Sequence, residues 1–323
     1  MKVMVTGGAG YIGAHVARAL AERGHAPVVL DDLRDSAAAR VGSLALERVA
    51  LEDTPGVVAA FERHRPEAVI HLAGSISVAE SVADPAKYWR NNLGGGASLL
   101  IACARVPVRT FLFSSTAAVY GDARVSPIPE TAPLAPTSPY GASKLAFEKL
   151  LHEAASALRF RSAALRYFNA AGANPSWAVG EQHVPEEHLI PRVIAAAAAG
   201  EPVHVYGDDY ETPDGTCVRD YIHVTDLAEA HVRVVEAESL ASGSTFNCGT
   251  GRGHSVLEVI RAVAARLGCN LNVERRPRRA GDPASLVADP SALGAAVGWS
   301  PSHSSLDEIV ASAVDWARSR PAS

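Results

Sequence analysis

Lysine is scarce: only Lys2, Lys87, Lys144 and Lys149 occur in 323 residues. With 30 Lys and Arg against 35 Asp and Glu, the formal net charge is -5, so the basic surplus needed to hold a nucleic-acid backbone is missing. No nucleic-acid partner is expected. Cysteine is equally sparse. Cys103, Cys217, Cys248 and Cys269 are far apart, lack metal-ligand spacing and sit mostly in apolar runs. Buried free thiols are therefore expected, with neither disulfides nor a metal. No apolar run approaches the length of a membrane span, and no charged, apolar and small-residue leader precedes the first strand. A cytoplasmic protein with no membrane partner is expected. Repeats and low-complexity tracts are absent too. What is present is 48% hydrophobic residues, enough for one large or two modest domains.

The first 23 residues organise the rest. The apolar Val3-Met4-Val5-Thr6 feeds a glycine turn, Gly7-Gly8-Ala9-Gly10-Tyr11-Ile12-Gly13, and then a run whose apolar Val16 and Leu20 recur at helical spacing. Strand, glycine turn and helix together describe a dinucleotide phosphate site. Gly7 permits the tight turn, Gly10 lets backbone N–H groups approach a pyrophosphate, and Gly13 brings the helix against its strand. A second strand, Pro27-Val28-Val29-Leu30, ends in Asp31-Asp32. A carboxylate there accepts both hydroxyls of an adenosine ribose and repels a 2′-phosphate, which selects NAD over NADP.

Strand and helix then alternate. Strands are expected near residues 48–51, 68–72, 110–113 and 162–166, and helices near 57–64, 86–105 and 138–155. This pattern predicts an α/β fold, a Rossmann-type doubly wound parallel sheet with helices on both faces. Ligands in such sheets lie beyond the carboxyl ends of the strands, so Gly7, Asp31, Gly74 and Thr116 should border one crevice. After about residue 170 loops lengthen and strands shorten. The chain is read as an NAD-binding domain over residues 1–170 and a smaller α/β substrate lobe over 171–323 that shares an element or two with the first.

In Tyr140-Gly141-Ala142-Ser143-Lys144, tyrosine and lysine stand four apart, on one face of a helix. An ammonium beside a phenol favours the phenolate, and the positive nicotinamide of NAD+ favours it further. Such a tyrosine takes a proton from a sugar hydroxyl while hydride leaves the carbon beneath it. Thr116, just past a strand that should end at the crevice, offers a hydroxyl to share that proton.

Taken with these, His71-Leu72-Ala73-Gly74, Glu80-Ser81-Val82, Asn91-Asn92, Ser114-Ser115-Thr116, Val119-Tyr120-Gly121 and Arg166-Tyr167-Phe168-Asn169 resemble the extended short-chain dehydrogenase/reductases. Asp214-Gly215-Thr216, Arg219-Asp220-Tyr221-Ile222-His223-Val224 and Arg278-Arg279-Ala280-Gly281-Asp282 narrow the resemblance to UDP-hexose 4-epimerases. The resemblance covers nearly the whole chain in order. It implies interconversion of UDP-glucose and UDP-galactose through a transient 4-keto sugar on tightly held NAD. Tyr140 would be the base at the sugar O4, Lys144 would lower its pKa and hold the nicotinamide ribose, and Thr116 would hydrogen-bond O4. The cofactor set would add Tyr11, Ile12, Leu72, Ala73, Asn91, Ser114, Tyr167 and Phe168 to the glycines and Asp31-Asp32. Asn169, Arg219 and Arg279 would anchor the diphosphate, Tyr206 the uracil and Asp282 its ribose. A homodimer paired through helices 86–105 and 138–155 is also implied.

Several positions depart from the family. Ile76 replaces a lysine that contacts the cofactor. Leu51-Glu52-Asp53 replaces a Gly-Asp pair at the adenine, leaving open whether Glu52 or Asp53 meets the base. His188, followed by Leu189, stands where an asparagine contacts the sugar diphosphate. Leu286 stands where a tyrosine limits the room beside the hexose, which implies tolerance of UDP-N-acetylhexosamines. The rival readings are a UDP-N-acetylglucosamine or UDP-pentose 4-epimerase and, in another class, a non-catalytic NAD-binding regulator. Dehydration is disfavoured because Ala117-Ala118 follow Thr116 where dehydratases carry an acid and a base.

Overall fold

Six short apolar runs in the first half become parallel strands: β1 (Lys2–Thr6), β2 (Ala26–Leu30), β3 (Ala45–Glu47), β4 (Ala68–His71), β5 (Thr110–Thr116) and β6 (Arg161–Tyr167). The structure is a computed structural model that describes residues 1–279 and 281–320. Ala280, part of the 278–282 motif, lies outside the described residues. A seventh parallel strand, Ser244–Cys248, returns from the second half of the chain to pair with β6. The order across the sheet is Ser244–Cys248, β6, β5, β4, β1, β2, β3. Chain direction through the sheet therefore reverses between β1 and β4, which opens a crevice at their carboxyl ends.

Both β4 and β5 are buried along their whole length, as strands covered on two faces should be. The pleat sorts their neighbours. Val3 and Val5 of β1 face a cluster with Val16, Leu20, Ile70 and Leu227, while Met4 faces Phe61, Leu99, Phe111 and Phe147 on the other side. The first cluster includes the helix Val224–Glu236, so a segment beyond residue 170 closes one face of the first sheet.

The smaller lobe pairs Val203–Tyr206 with Val273–Arg276. Its central strand, Val218–His223, has Asn169–Ala171 at one end and Gly253–Ser255 and Ser285–Leu286 at the other. Helices Leu189–Ala199, Val256–Leu267 and Leu306–Ser319 pack around a separate apolar cluster.

Some local expectations shift. The strand expected near residues 48–51 lies at Ala45–Glu47, and the helix expected from residue 57 begins at Thr54 because the Asp53 carboxylate caps it. The expected helix over 86–105 is present in three segments, Pro85–Tyr88, a π-helical turn Trp89–Gly94, and Gly95–Arg105. Cys103, Cys217 and Cys248 are buried free thiols, but Cys269 is exposed. No described helix is long and apolar enough to cross a membrane.

Candidate active site

At the carboxyl rim of the sheet lies a cleft of about 960 Å³. Residues scattered through the chain meet there: Gly7, Gly10, Tyr11, Ile12 and Gly13 from the first turn, Asp31 and Asp32 from the end of β2, and Glu52 beyond β3. Leu72, Ala73 and Gly74 follow from β4, Asn91 from the π-helical turn, and Thr116, Tyr140, Tyr167, Phe168, Asn169 and His188 complete the expected lining. Ile76 lines it as well.

The glycine turn is built for close approach. Gly7 has φ +67°, and a Cβ on Gly13 would lie 2.0 Å from the Gly7 carbonyl oxygen. A side chain at either position would push the helix Tyr11–Glu22 off its strand and fill the space at its N-terminus, where a pyrophosphate is received. Asp31 is held beneath this turn. Its carboxylate accepts hydrogen bonds from Ala9 N at 3.0 Å, Leu33 N at 2.9 Å and the Ser36 hydroxyl at 2.6 Å. The cradle and the acidic strand end fit the dinucleotide expected there.

Two of the expected cofactor residues have their side chains engaged within the protein. Asp53 accepts from Gly56 N at 3.1 Å as the cap of its helix, while Glu52 lines the cleft. The Ser114 hydroxyl is also turned away, contacting His231 Nε2 at 2.9 Å in the core. Its carbonyl does the useful work, accepting from Lys144 Nζ at 3.1 Å.

Ser138 caps the helix Pro139–Leu158 by accepting from Gly141 N, which sets Tyr140 and Lys144 one turn apart at its start. Lys144 is buried and Tyr140 is half-buried at the cleft, and desolvation dominates the ionisation of both. It pushes the Tyr140 phenol up, with the Thr116 hydroxyl pulling it down. It lowers Lys144 to about 8, partly opposed by Glu148. The expected lowering of the phenol by its lysine neighbour does not appear in the cofactor-free chain, because Lys144 is aimed at the Ser114 carbonyl and lies 4.9 Å from the Phe113 ring centre. The positive charge that would stabilise a phenolate has to arrive with NAD+.

The Asn91-Asn92 pair owes its position to the π-helical turn, a widening often found at functional sites. Asn91 Nδ2 donates to the Ser75 hydroxyl at 3.1 Å, and Asn92 Nδ2 donates to the Ser143 hydroxyl at 3.0 Å. These bonds tie the catalytic helix to the loop after β4.

The expected substrate residues divide. Asn169 and His188 line the cleft, and Leu189 begins the helix that His188 caps. Arg219, Arg279, Tyr206 and Asp282 form two pairs on the smaller lobe, outside the lining of the cleft. Arg219 is 2.5 Å from Asp282, and the Arg279 guanidinium lies 4.0 Å from the Tyr206 ring centre. Leu286 pairs beside Arg219 and packs on the cluster that includes Phe168.

Three features escaped the sequence reading. Glu148 and Arg166 form a buried pair at 2.6 Å that joins the helix Pro139–Leu158 to β6. Asp220 is an interior hub, accepting from Thr250 N, Gly251 N and Ala288 N. Finally, residues 181–188 form a strap along the cleft in which Glu181, His183, Glu186 and His188 converge. Burial would depress the His188 pKa, but hydrogen bonds to Glu181 and Glu186 outweigh it and hold the imidazole up at about 10. The visible signal was the spacing Glu-x-His-x-x-Glu-x-His.

A doubly wound parallel sheet, a glycine cradle at its reversal point, and Thr116 and Tyr140 in one cleft with Lys144 a helical turn from Tyr140 define an NAD-dependent enzyme of the extended short-chain dehydrogenase/reductase class. The chain belongs to the NAD dependent epimerase/dehydratase family, whose pattern matches residues 3–249. It is 46% identical to a UDP-glucose 4-epimerase of Azospirillum brasilense over 98% of this chain and 92% of the relative. It is also similar to the crystal structure of UDP-glucose 4-epimerase from Brucella ovis in complex with NAD, with a TM-score of 0.93, 47% identity and 97% of each chain covered. The UDP-glucose 4-epimerase of Bifidobacterium longum in complex with NAD+ and UDP gives a TM-score of 0.94 at 37% identity, covering 99% of each chain.

Proposed function

We propose that this chain interconverts UDP-glucose and UDP-galactose by NAD-dependent epimerisation at C4. The observation that carries the reading is the convergence of Thr116 and Tyr140 on the cleft that the glycine turn and Asp31 also border. Bound NAD supplies a reversible hydride acceptor for the sugar carbon. Tyr140 accepts the O4 proton and later returns it, and Thr116 hydrogen-bonds the same oxygen. Lys144, fixed by the Ser114 carbonyl, holds the nicotinamide ribose, and the oxidised nicotinamide brings the positive charge that favours the phenolate. Gly10, Gly13 and the helix N-terminus receive the dinucleotide pyrophosphate, Asp31 the ribose and Glu52 the adenine edge.

Asn169, Arg219 and Arg279 are assigned to the diphosphate of the sugar nucleotide, with Tyr206 at the uracil and Asp282 at its ribose. The planar arginine fork meets two phosphate oxygens at once. His188 presents Nε2 to the substrate, since Nδ1 faces the two carboxylates. The half-buried Leu286, packed on the same apolar cluster as the cleft-lining Phe168, supports acceptance of an N-acetylated hexose as a second substrate.

Residues 1–170 are assigned to the cofactor domain and 171–323 to the substrate lobe, with Val224–Glu236 and Ser244–Cys248 shared back to the first. A cytoplasmic homodimer is proposed, supported by the exposed Trp89 and Ile101 on the segmented helix over 85–105.

The function is tested by incubating the purified chain, without added cofactor, with UDP-galactose, UDP-N-acetylgalactosamine and a UDP-pentose, and resolving the products chromatographically. Formation of UDP-glucose that is lost in Tyr140→Phe, with bound NAD retained, supports the reading. A chain that binds NAD but converts none of the three is a regulator and overturns it.

A further inference from the structure

The strap over residues 181–188 gathers two carboxylates and two imidazoles whose hydrogen bonding is incomplete. Glu181 is only 8% exposed, and its Oε1 is buried without a well-formed hydrogen bond, although His188 Nδ1 approaches to 2.8 Å. His183 Nδ1 is also buried and without a hydrogen-bond partner. Among the described residues neither Glu181 nor Glu186 pairs with a lysine or arginine; their ionic neighbours are His183 and His188. Both carboxylates are thus met by imidazoles, which are themselves metal-ligating groups, and not by a lysine or arginine.

The spacing of the donor atoms suggests what they can hold. His188 Nδ1 lies 2.8 Å from Glu181 Oε1 and 3.1 Å from Glu186 Oε1. His183 Nδ1 lies 3.5 Å from Glu181 Oε1 and 3.9 Å from Glu186 Oε2. All four donor atoms lie within 4.8 Å of one another. Ligands bound to zinc at about 2.0–2.2 Å occupy tetrahedron corners roughly 3.3–3.6 Å apart, so small side-chain adjustments place one ion at the centre of this set. Two imidazoles and two carboxylates suit zinc and its divalent first-row neighbours, whereas an all-oxygen shell would suit magnesium or calcium.

The donors also rest on fixed supports. Trp316 Nε1 donates to the Glu181 carbonyl at 3.0 Å, and the backbone of Gln182 accepts from Arg40 at 3.3 Å. The Tyr11 ring meets the His183 ring edge-on at 6.4 Å, and His188 caps the helix Leu189–Ala199. The strap thus connects the dinucleotide turn to the smaller lobe.

We propose that Glu181, His183, Glu186 and His188 form a zinc-class divalent-cation site that locks this strap along the wall of the nucleotide cleft. The ion's role is structural, and all four ligands come from eight consecutive residues. Cysteine spacing gave no hint of it because the donor set contains no sulfur.

The test uses the full-length, NAD-loaded chain prepared without a histidine tag and stripped with a chelator. Zn²⁺ alone is added by calorimetric titration, and Co²⁺ alone is followed by visible absorption. One equivalent of each should bind, Co²⁺ should show the intense bands of a four-coordinate ion, and Zn²⁺ should raise the melting temperature. His183→Gln and Glu181→Gln should each weaken Zn²⁺ binding by more than the roughly 10–100-fold that losing an outer-shell partner costs. X-ray absorption at the zinc edge of the unmutated protein should show nitrogen and oxygen ligands with two imidazoles, a readout independent of how the variants fold. Failure of the unmutated chain to take up either ion overturns the proposal. So does uptake that both variants retain, or a zinc shell containing sulfur or fewer than two imidazoles.

Discussion

The Lys144 ammonium donates to the Ser114 carbonyl at 3.1 Å, joining the start of the catalytic helix to the end of β5. One bond thereby fixes the relative placement of Tyr140 and Thr116, which lie on those two elements. Lys144→Met keeps the apolar stem and removes this bond and its charge. It should lower kcat by on the order of 10²-fold or more. It should also reduce the NAD that copurifies, measured by absorbance after the protein is denatured. Normal turnover with full NAD content would show that the lysine positions nothing.

Acid should destabilise the fold before its carboxylates titrate. Burial lowers His15, His223 and His231 to about 4 and His71 to about 3. Unfolded histidines titrate near 6.5. Between these values the unfolded chain binds more protons, so stability falls as pH drops from about 6.5 towards 4, each group costing on the order of 1–2 kcal/mol at pH 5. Urea midpoints at pH 7 and pH 5 measure this. An equal or higher midpoint at pH 5 would contradict the burial of these rings.

The Glu148–Arg166 pair joins the helix Pro139–Leu158 to β6, with its side chains 9% and 5% exposed. Arg166 also donates to the Tyr120 hydroxyl at 3.0 Å, and the Ser115 hydroxyl bonds to Glu148. Glu148→Gln leaves the guanidinium buried without its counter-ion. A loss of about 3–5 kcal/mol in unfolding free energy is expected by denaturant titration. A change within about 0.5 kcal/mol would match an ordinary surface charge.

Leu286 is half-buried and packs, like Phe168, against the cluster of Val119, Tyr120, Ile128 and Leu145. Leu286→Tyr adds a ring and a hydroxyl beside the proposed sugar position. It should depress kcat/KM for the UDP-N-acetylhexosamine by at least about tenfold relative to UDP-galactose, the scale of a small steric change in a pocket. An unchanged ratio would place the acetyl group elsewhere.

Much of this site was legible because its parts carry backbone signatures. Gly7 and Gly13 are required by a positive φ and by a 2.0 Å approach that no side chain tolerates, and such needs leave glycine in the sequence. The spacing of Tyr140 and Lys144 survives intact on one helix. Their ionisation was not legible, since spacing reveals a neighbour but not the burial that dominates both groups. Asp53 was ambiguous because aspartate serves equally as a cap and as a ligand, and only the hydrogen bond to Gly56 decides. β3 was misplaced because it is a three-residue edge strand with no fully buried position, which leaves little hydrophobic pattern to read. The return of Ser244–Cys248 to the first sheet is a long-range pairing that local periodicity does not encode. The strap at residues 181–188 was missed for a chemical reason: its donors are imidazoles and carboxylates within a loop, where neither cysteine spacing nor helical periodicity marks them.

The decisive measurement follows an atom. UDP-galactose carrying deuterium at C4 is incubated with the purified chain in ordinary water, and the UDP-glucose formed is analysed by mass spectrometry and proton NMR. If Tyr140 handles only the O4 proton while hydride leaves and returns within the closed cleft, the product keeps deuterium at C4. Replacement of that deuterium by solvent hydrogen would mean that the C4 hydrogen is removed as an exchangeable proton, and the chemistry assigned to Tyr140, Thr116 and Lys144 would be wrong.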